Sequence, residues 1–301
     1  MSTSTCISFE RRPSALSFML NALRPSKGLG RDGGFPQIVA RWRGHEADPS
    51  QLHDFLRLTG LPKGDYLPLI YPHVFAFRLQ MVVLTHPVFP LPIWGALQIR
   101  NHLLQHRPIP SDGRMDIETR VAGWRILEKG AEVDLHTTVI HGGALAWESL
   151  NTFYYRGRFG TAAAAPPLSA TPDVPSTEIA AWRLPPGVGW RLARMTGDYN
   201  GIHRWDWYAR RFGFPRAFFH PQMIVGQCMA RVAADNADQS RRLDLWIRGP
   251  VYFDSDVSLR AASSQDSTVF ALMLRGDDRP AILGRLRAAA GTQPLLGEAT
   301  P

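Results

Sequence analysis

The sequence predicts an α+β fold built from two similar units, on three observations. A Pro/Ala-rich stretch divides the chain, segments alternating apolar and polar residues recur on both sides of it, and each half carries an apolar helical stretch opened by a proline. In the first half the helix is predicted over 93–105, after Pro92. Period-two strands follow: Met115, Ile117 and Val121 alternate with polar residues, as do Val133, Leu135 and Val139, and 147–155 reads as a third strand. In the second half Pro221 opens a helix over 222–235, with strands predicted at 243–248, 257–262, 268–274 and 282–287. One helix followed by antiparallel strands, twice, implies a duplicated unit.

The boundaries follow from composition. Residues 1–50 are rich in Gly, Pro and Arg and read as an extension, with a short docking helix near 15–20. Residues 51–160 form the first unit, 161–180 the linker and 181–301 the second unit. The linker's alanines and prolines (162–167, then Pro172 and Pro175) have no amphipathic period.

A chain of 301 residues, 45% hydrophobic and 20% charged, can bury a substantial core. Its net charge of +8 comes from 34 basic and 26 acidic residues. Only Lys27, Lys63 and Lys129 are lysines, so the basic set is almost wholly arginine, the residue suited to bidentate phosphate contacts. The arginines are scattered, and with no basic run or recognition module a nucleic-acid partner is not expected. Cys6 and Cys228 cannot build a disulfide framework. The most apolar region, 74–99, is broken by Arg78, Gln80, His86 and several prolines, which argues against a membrane span. A cytoplasmic compartment is the expectation.

The second helix carries its polar residues Gln222, Gln227, Arg231 and Asp235 almost on one stripe; the rest are apolar or small, so protein is expected around most of it. Gly226 and Ala230 would permit close approach of a neighbour.

Chemistry concentrates in the run from Met195 to Ala209. Asp198 and His203 are five apart, which on a continuous helix sets them roughly 140° apart. Asn200 and Gly201 are turn formers, and a turn there lets carboxylate and imidazole converge on one small volume and hold a water between them. With His203 in the first turn of the next helix, the dipole would keep the ring neutral. Plain helix capping by Asp198 or Asn200, with His203 exposed, is the competing reading of the same residues.

The whole string resembles the signature of the MaoC-like, (R)-specific enoyl-CoA hydratase and 3-hydroxyacyl dehydratase family: Gly-Asp-x-Asn-Pro, an aliphatic residue, His, five residues, then Ala or Ser. Gly197, Asp198, Asn200, Ile202, His203 and Ala209 fall in register. Downstream, Gly213-Phe214 and 219–223 are similar to the family's approach to its central helix, and the first half looks like a degenerate copy. The resemblance implies two hotdog units in one chain, each an antiparallel sheet wrapped around a central helix. It also implies hydration of trans-2-enoyl thioesters, or the reverse dehydration of (R)-3-hydroxyacyl thioesters. Asp198 and His203 would be the catalytic pair, Gly197 and Asn200 would position the loop, and His220, Gln222 and Met223 would meet substrate. The first half would shape the acyl pocket. No cofactor is expected beyond the coenzyme A or acyl-carrier-protein thioester that serves as substrate. A homodimer is the oligomeric expectation. Arginines are candidates for the coenzyme's phosphates, with none singled out.

Two positions depart from the signature. Gly201 stands where the family has Pro, and Pro221 stands where a Gly follows the His. Proline has no N–H, so an oxyanion donor would have to move to Gln222 or Met223, and losing one such donor costs about 100- to 1,000-fold in rate. A non-catalytic thioester-binding protein therefore stands as an alternative, as does a related hotdog acyl-thioesterase. Gly28-x-Gly30-x-x-Gly33 matches a dinucleotide pattern but has neither a preceding strand nor a following helix, and reads as a loop. His102 and His106 have helical metal spacing without a third ligand.

Overall fold

One 11-stranded sheet organises the molecule, a computed structural model that describes residues 5–30, 34–162, 164–232, 238–289 and 294–296. The strands are β1 (Thr5–Phe9), β2 (Ile38–Glu46), β3 (Leu97–Gln105), β4 (Arg114–Leu127), β5 (Gly130–His141), β6 (Ala144–Arg156), β7 (Glu178–Arg183), β8 (Arg241–Ile247), β9 (Asp256–Ser263), β10 (Ser267–Leu274) and β11 (Ile282–Ala288). The helices are α1 (Ala15–Ala22), α2 (Pro49–Thr59), α3 (Tyr71–Leu84), α4 (Gly189–Thr196), α5 (Asp206–Arg211) and α6 (Pro221–Val232).

The sheet order is β1-β2-β4-β5-β6-β3-β8-β11-β10-β9-β7. Moving outward from the β3–β8 contact, the first half runs β3, β6, β5, β4, β2 and the second β8, β11, β10, β9, β7, so the two halves mirror one another. Strand β1 is an addition, paired parallel to β2 at the far edge. Arg100 to Gln105 of β3 pair antiparallel with Arg241 to Trp246 of β8, which makes the two sheets continuous. Helices α3 and α6 are the central helices of the two halves. Thirteen of the fourteen residues of α3 are buried, and on α6 Gln222 to Met229 are all buried.

The strands expected around 115–121, 133–139 and 147–155 and at 243–248, 257–262, 268–274 and 282–287 are present as β4, β5, β6 and β8 to β11. The helix expected over 93–105 is not. A short 3-10 turn (Ile93–Gly95) leads into β3, and the first central helix lies upstream at α3. Both errors have one cause, uniform burial. β3 sits between β6 and β8 with its last six residues buried on both faces, so it lacks alternation. α3 is apolar nearly all round, so it lacks a helical stripe. The extension 1–50 supplies α1 and also β1 and β2 of the sheet, and the linker's last residues open β7. Of the helix expected over 222–235, the part to Val232 is present and 233–235 lie outside the described residues.

Close approach at Gly226 is real. A Cβ there would lie 2.4 Å from Thr59 Cγ2, so α2 seats directly on α6. The polar stripe of α6 faces the same side: Gln227 donates to the Leu58 carbonyl (3.0 Å) and accepts from Trp182 Nε1 (2.9 Å), while Arg231 lies 4.0 Å over the Trp182 ring. The chain between the halves crosses the back of the sheet, where Trp246 Nε1 donates to the Leu168 carbonyl (3.0 Å). No helix among the described residues is long and apolar enough to cross a membrane.

Candidate active site

The halves differ most between the short helix and the central helix. Gly60, closing α2, precedes Tyr71 by 11 positions; Gly197, closing α4, precedes Pro221 by 24. Both glycines are left-handed, with φ of 77° and 79°. The longer connection in the second half carries the motif, on a 3-10 turn (Gly201–His203) and α5.

The loop is built from short side-chain-to-backbone bonds. Thr196 Oγ1 accepts from the Asp198 N–H (3.1 Å), Asp198 Oδ1 from the Asn200 N–H (3.0 Å), and Asn200 Oδ1 from the Ile202 N–H (3.2 Å). Asn200 is thus the cap of the turn that presents His203. Gly197 must lack a side chain, because a Cβ there would lie 2.8 Å from the Arg78 guanidinium. Arg204, stacked 4.5 Å from the Trp190 ring and 4.2 Å from the Trp205 ring, donates to the Tyr199 carbonyl and pins the loop from outside.

Asp198 and His203 do converge: Oδ2 and Nε2 are 3.4 Å apart. Nδ1 of His203 lies 2.8 Å from the Phe218 carbonyl. A carbonyl only accepts, so Nδ1 carries a proton, and Nε2 is the ring nitrogen that faces the carboxylate. The carbonyl itself is fixed by a bridge between Phe218 and Tyr252, with the Phe219 N–H on the Val251 carbonyl (2.9 Å). Burial pushes the Asp198 carboxyl up, but the His203 hydrogen bond and charge, His220 and the Asn200 N–H outweigh it and hold the group at about 2. The expectation that His203 lies in the first turn of a helix needs correcting. It ends the 3-10 turn, ahead of α5, and its orientation comes from Phe218 rather than from a helix dipole.

The pair sits on the wall of a cavity of about 280 Å³, otherwise lined mainly by apolar side chains of both halves: Phe77, Met81 and Phe153 from the first, Phe218, Ile247 and Val251 from the second. Phe18 and Met19 of α1 close one side. His220 also lines it, 5.7 Å from the His203 ring, and burial followed by the His203 charge lowers its pKa to about 4. Gln222 and Met223 do not line the cavity. Both are buried, and Met223 packs in the main core. Their side chains therefore fall outside the substrate-facing set. The Met223 N–H is spent on the His220 carbonyl (3.1 Å), which leaves Gln222 as the first residue of α6 with an uncommitted N–H among the described residues.

Several contributors were not legible as such. Gly189 would place a Cβ 1.9 Å from the His203 carbonyl oxygen, so α4 packs on the backbone of the turn that carries His203. Its Pro-Pro-Gly-Val-Gly setting reads as a plain loop. His73 of α3 is fully buried beside His220 (rings 6.3 Å apart), and Asn101 donates to its Nδ1 (3.3 Å). By contrast, His102 and His106 lie on and just beyond β3 and bond Asp244 (2.9 Å) and Glu148 (2.9 Å). No group of three or more metal-ligating side chains assembles among the described residues. Gly28 and Gly30 lie in irregular chain; Gly33 is outside the described residues.

No family model matches the sequence. The chain is 31% identical over 195 residues to 3-hydroxyacyl-thioester dehydratase X of Mycobacterium tuberculosis, covering 64% of this chain and 69% of that protein. It belongs to the MaoC-like hydratase and dehydratase family. The crystal structure of HtdX from M. tuberculosis superposes with a TM-score of 0.71 at 26% identity over 83% of this chain and 99% of that one. A MaoC-like dehydratase from Phytophthora capsici follows at 0.68 and 15% identity, covering 87% and 96%, a likeness of fold. The architecture of this family member is a double hotdog, and the chain is an enzyme of the hydratase and dehydratase class.

Proposed function

We propose that this enzyme adds water reversibly across the double bond of trans-2-enoyl thioesters, giving (R)-3-hydroxyacyl thioesters, with Asp198 and His203 as its acid/base pair. The observation that carries the reading is the 3.4 Å approach of Asp198 Oδ2 and His203 Nε2 on the wall of an apolar cavity. A water hydrogen-bonded to both groups from the cavity side is placed for proton transfer to or from the acyl chain.

In hydration, the acyl chain occupies the cavity and water is held by the pair. His203 Nε2 takes one proton as the oxygen bonds to C3, the C2–C3 π electrons move toward the carbonyl, and the imidazolium returns the proton to C2. Asp198, ionised far below neutral pH, stabilises that imidazolium and fixes the second water proton. Charge developing on the thioester oxygen needs a donor. With Pro221 unable to serve, the Gln222 N–H in the first turn of α6 takes the role, aided by the positive end of a 12-residue helix. Dehydration runs the same steps backward. His220, held neutral by burial, gives the cavity a polar end without a second cation.

The reading is tested by supplying the purified enzyme with trans-2-enoyl-CoA thioesters of increasing chain length, resolving the product enantiomers and trapping free thiol in parallel. (R)-3-hydroxyacyl product with no thiol release is expected. Thiol release without hydration would instead establish a thioesterase.

A further inference from the structure

A second cavity lies on the other side of the catalytic loop. It is open, about 540 Å³, and polar, bounded by the start of α2, the end of α4, Arg78 of α3 and Tyr199. Tyr199 stands between Asp198 and Asn200, which line the acyl cavity, so one loop forms a wall of both.

Five arginines converge there, Arg12, Arg57, Arg78, Arg191 and Arg194, against two carboxylates, Asp48 and Asp54. The carboxylates are already engaged. Asp54 pairs with Arg57 (3.2 Å), and Asp48 accepts from the Ser50 and Gln51 N–H groups (2.9 and 3.3 Å) as the cap of α2. Arg12 donates to Gln51 Oε1 (3.3 Å) and to the Arg194 carbonyl (3.1 Å), neutral acceptors that leave its charge uncompensated. Arg191 and Arg194 are exposed and make no ion pair among the described residues. Arg78 is 5% exposed. One of its nitrogens donates to the Pro13 carbonyl (3.2 Å), its Nε has no partner among the described residues, and burial and then Arg12 lower its pKa to about 10. A buried guanidinium held beside another cation, with an unmade hydrogen bond, is stabilised by an anion.

We propose that this pocket binds the phosphate groups of the thioester's carrier, the 3′-phosphoadenosine diphosphate of coenzyme A. The inference rests on the hydratase reading above and names its carrier. The net excess of about three positive charges suits several phosphate charges better than the single phosphodiester of a phosphopantetheine arm. A substrate in which a pantetheine arm separates the reacting thioester from the phosphates is of the kind that meets both sides of that loop. The α2 N-terminus adds little, since Asp48 has already taken its first N–H groups.

The test uses Arg191→Ala, Arg194→Ala and the double variant; Arg78 is left intact because it also packs on Gly197. Turnover is measured with crotonyl-CoA, with crotonyl-pantetheine (which lacks phosphate) and with a crotonyl carrier protein, and coenzyme A binding to each variant is measured by calorimetry. For crotonyl-CoA each single variant is expected to raise KM roughly 10-fold with kcat unchanged, since charge-assisted hydrogen bonds contribute about that much each. Crotonyl-pantetheine should be turned over equally by all forms, and coenzyme A should bind more weakly to the variants, an effect that shrinks at high salt. Equal losses on all substrates, no loss, or a loss confined to the carrier protein would overturn the site. Failure of wild-type protein to bind coenzyme A would overturn it even where hydration is measured. Coenzyme A binding that needs Arg191 and Arg194, without hydration of any substrate, would leave the site standing and remove the hydratase reading.

Discussion

At the scale of single residues, the active site depends on where side chains are missing as much as on where they are present. Gly201 replaces the proline of the family signature, and the structure gives the reason: a Cβ at this position would lie 2.6 Å from the Tyr208 ring. Gly201→Pro should therefore weaken the loop it would be expected to stiffen, lowering Tm by several degrees and kcat by about 10-fold or more, in line with the rate cost of displacing catalytic groups by an ångström. Truncating the ring in Gly201→Pro/Tyr208→Ala should recover most of both losses. A Gly201→Pro variant with unchanged Tm and kcat would show that the contact does not constrain the turn. The motif residues Gly197, Asp198, Asn200 and His203 were legible because polar turn chemistry is local. Phe218, Gly189 and Arg78 were not, because what they do for the loop depends on chain brought in from elsewhere. That the side chains of Gln222 and Met223 do not line the cavity was not legible for a related reason: proximity in sequence to His220 does not reveal which side of a helix faces a cavity.

At the scale of elements, alternation identifies a strand only when one face is solvated or differently packed. β4 met that condition along most of its length, whereas β3 did not. β3 lies at the junction of the halves, where a buried charge cluster ties it to β8 and β11. Asp244 of β8, fully buried, accepts from His102 of β3 (2.9 Å) and Arg242 (2.8 Å), and faces Arg285 (3.2 Å) and Arg287 (3.4 Å) of β11. These groups hold its carboxyl well below the usual range against a strong burial penalty. Removing the anion strands cations where water cannot reach them freely. Asp244→Asn should lower unfolding free energy by about 3 kcal/mol, measured by chemical denaturation, while replacing Arg41 or Glu118, a half-exposed pair near one edge of the sheet, by Ala should cost far less. Comparable small losses at both sites would mean that the junction cluster does not hold the halves together.

At the scale of the whole molecule, the two halves are one sheet in function as well as form. The second half supplies Asp198 and His203, the proposed acid/base pair, and the first supplies Phe77, Met81 and Phe153 of the same cavity. Duplication was readable because strands recur in both halves, although the helix assigned to the first half was the wrong one. The shared interior also sets the response to acid. His220 is buried and His45 partly buried, both with pKa values lowered to about 4, and the fully buried His73 is lowered well below the usual value, burial being the first cause in each. Because folded values lie below the unfolded value of about 6.5, the unfolded chain takes up protons that the native one refuses. Stability is thus unaffected by these groups above pH 6.5 and falls as pH drops from there to 4, by on the order of 3 kcal/mol from His220 alone. Thermal unfolding scanned across that window should show Tm falling with acidity, less steeply in His220→Asn. Parallel curves for the two proteins would mean that His220 is not held neutral.

The central claim is that one carboxylate and one imidazole, brought together by the turn at Asn200, carry the chemistry. It is tested most directly by measuring crotonyl-CoA hydration in Asp198→Asn and His203→Ala alongside their near-ultraviolet circular dichroism. Each variant is expected to lose at least about 1,000-fold in kcat with an unchanged spectrum, because general acid/base groups contribute on that scale. A correctly folded variant that still hydrates crotonyl-CoA at the wild-type rate would contradict the account.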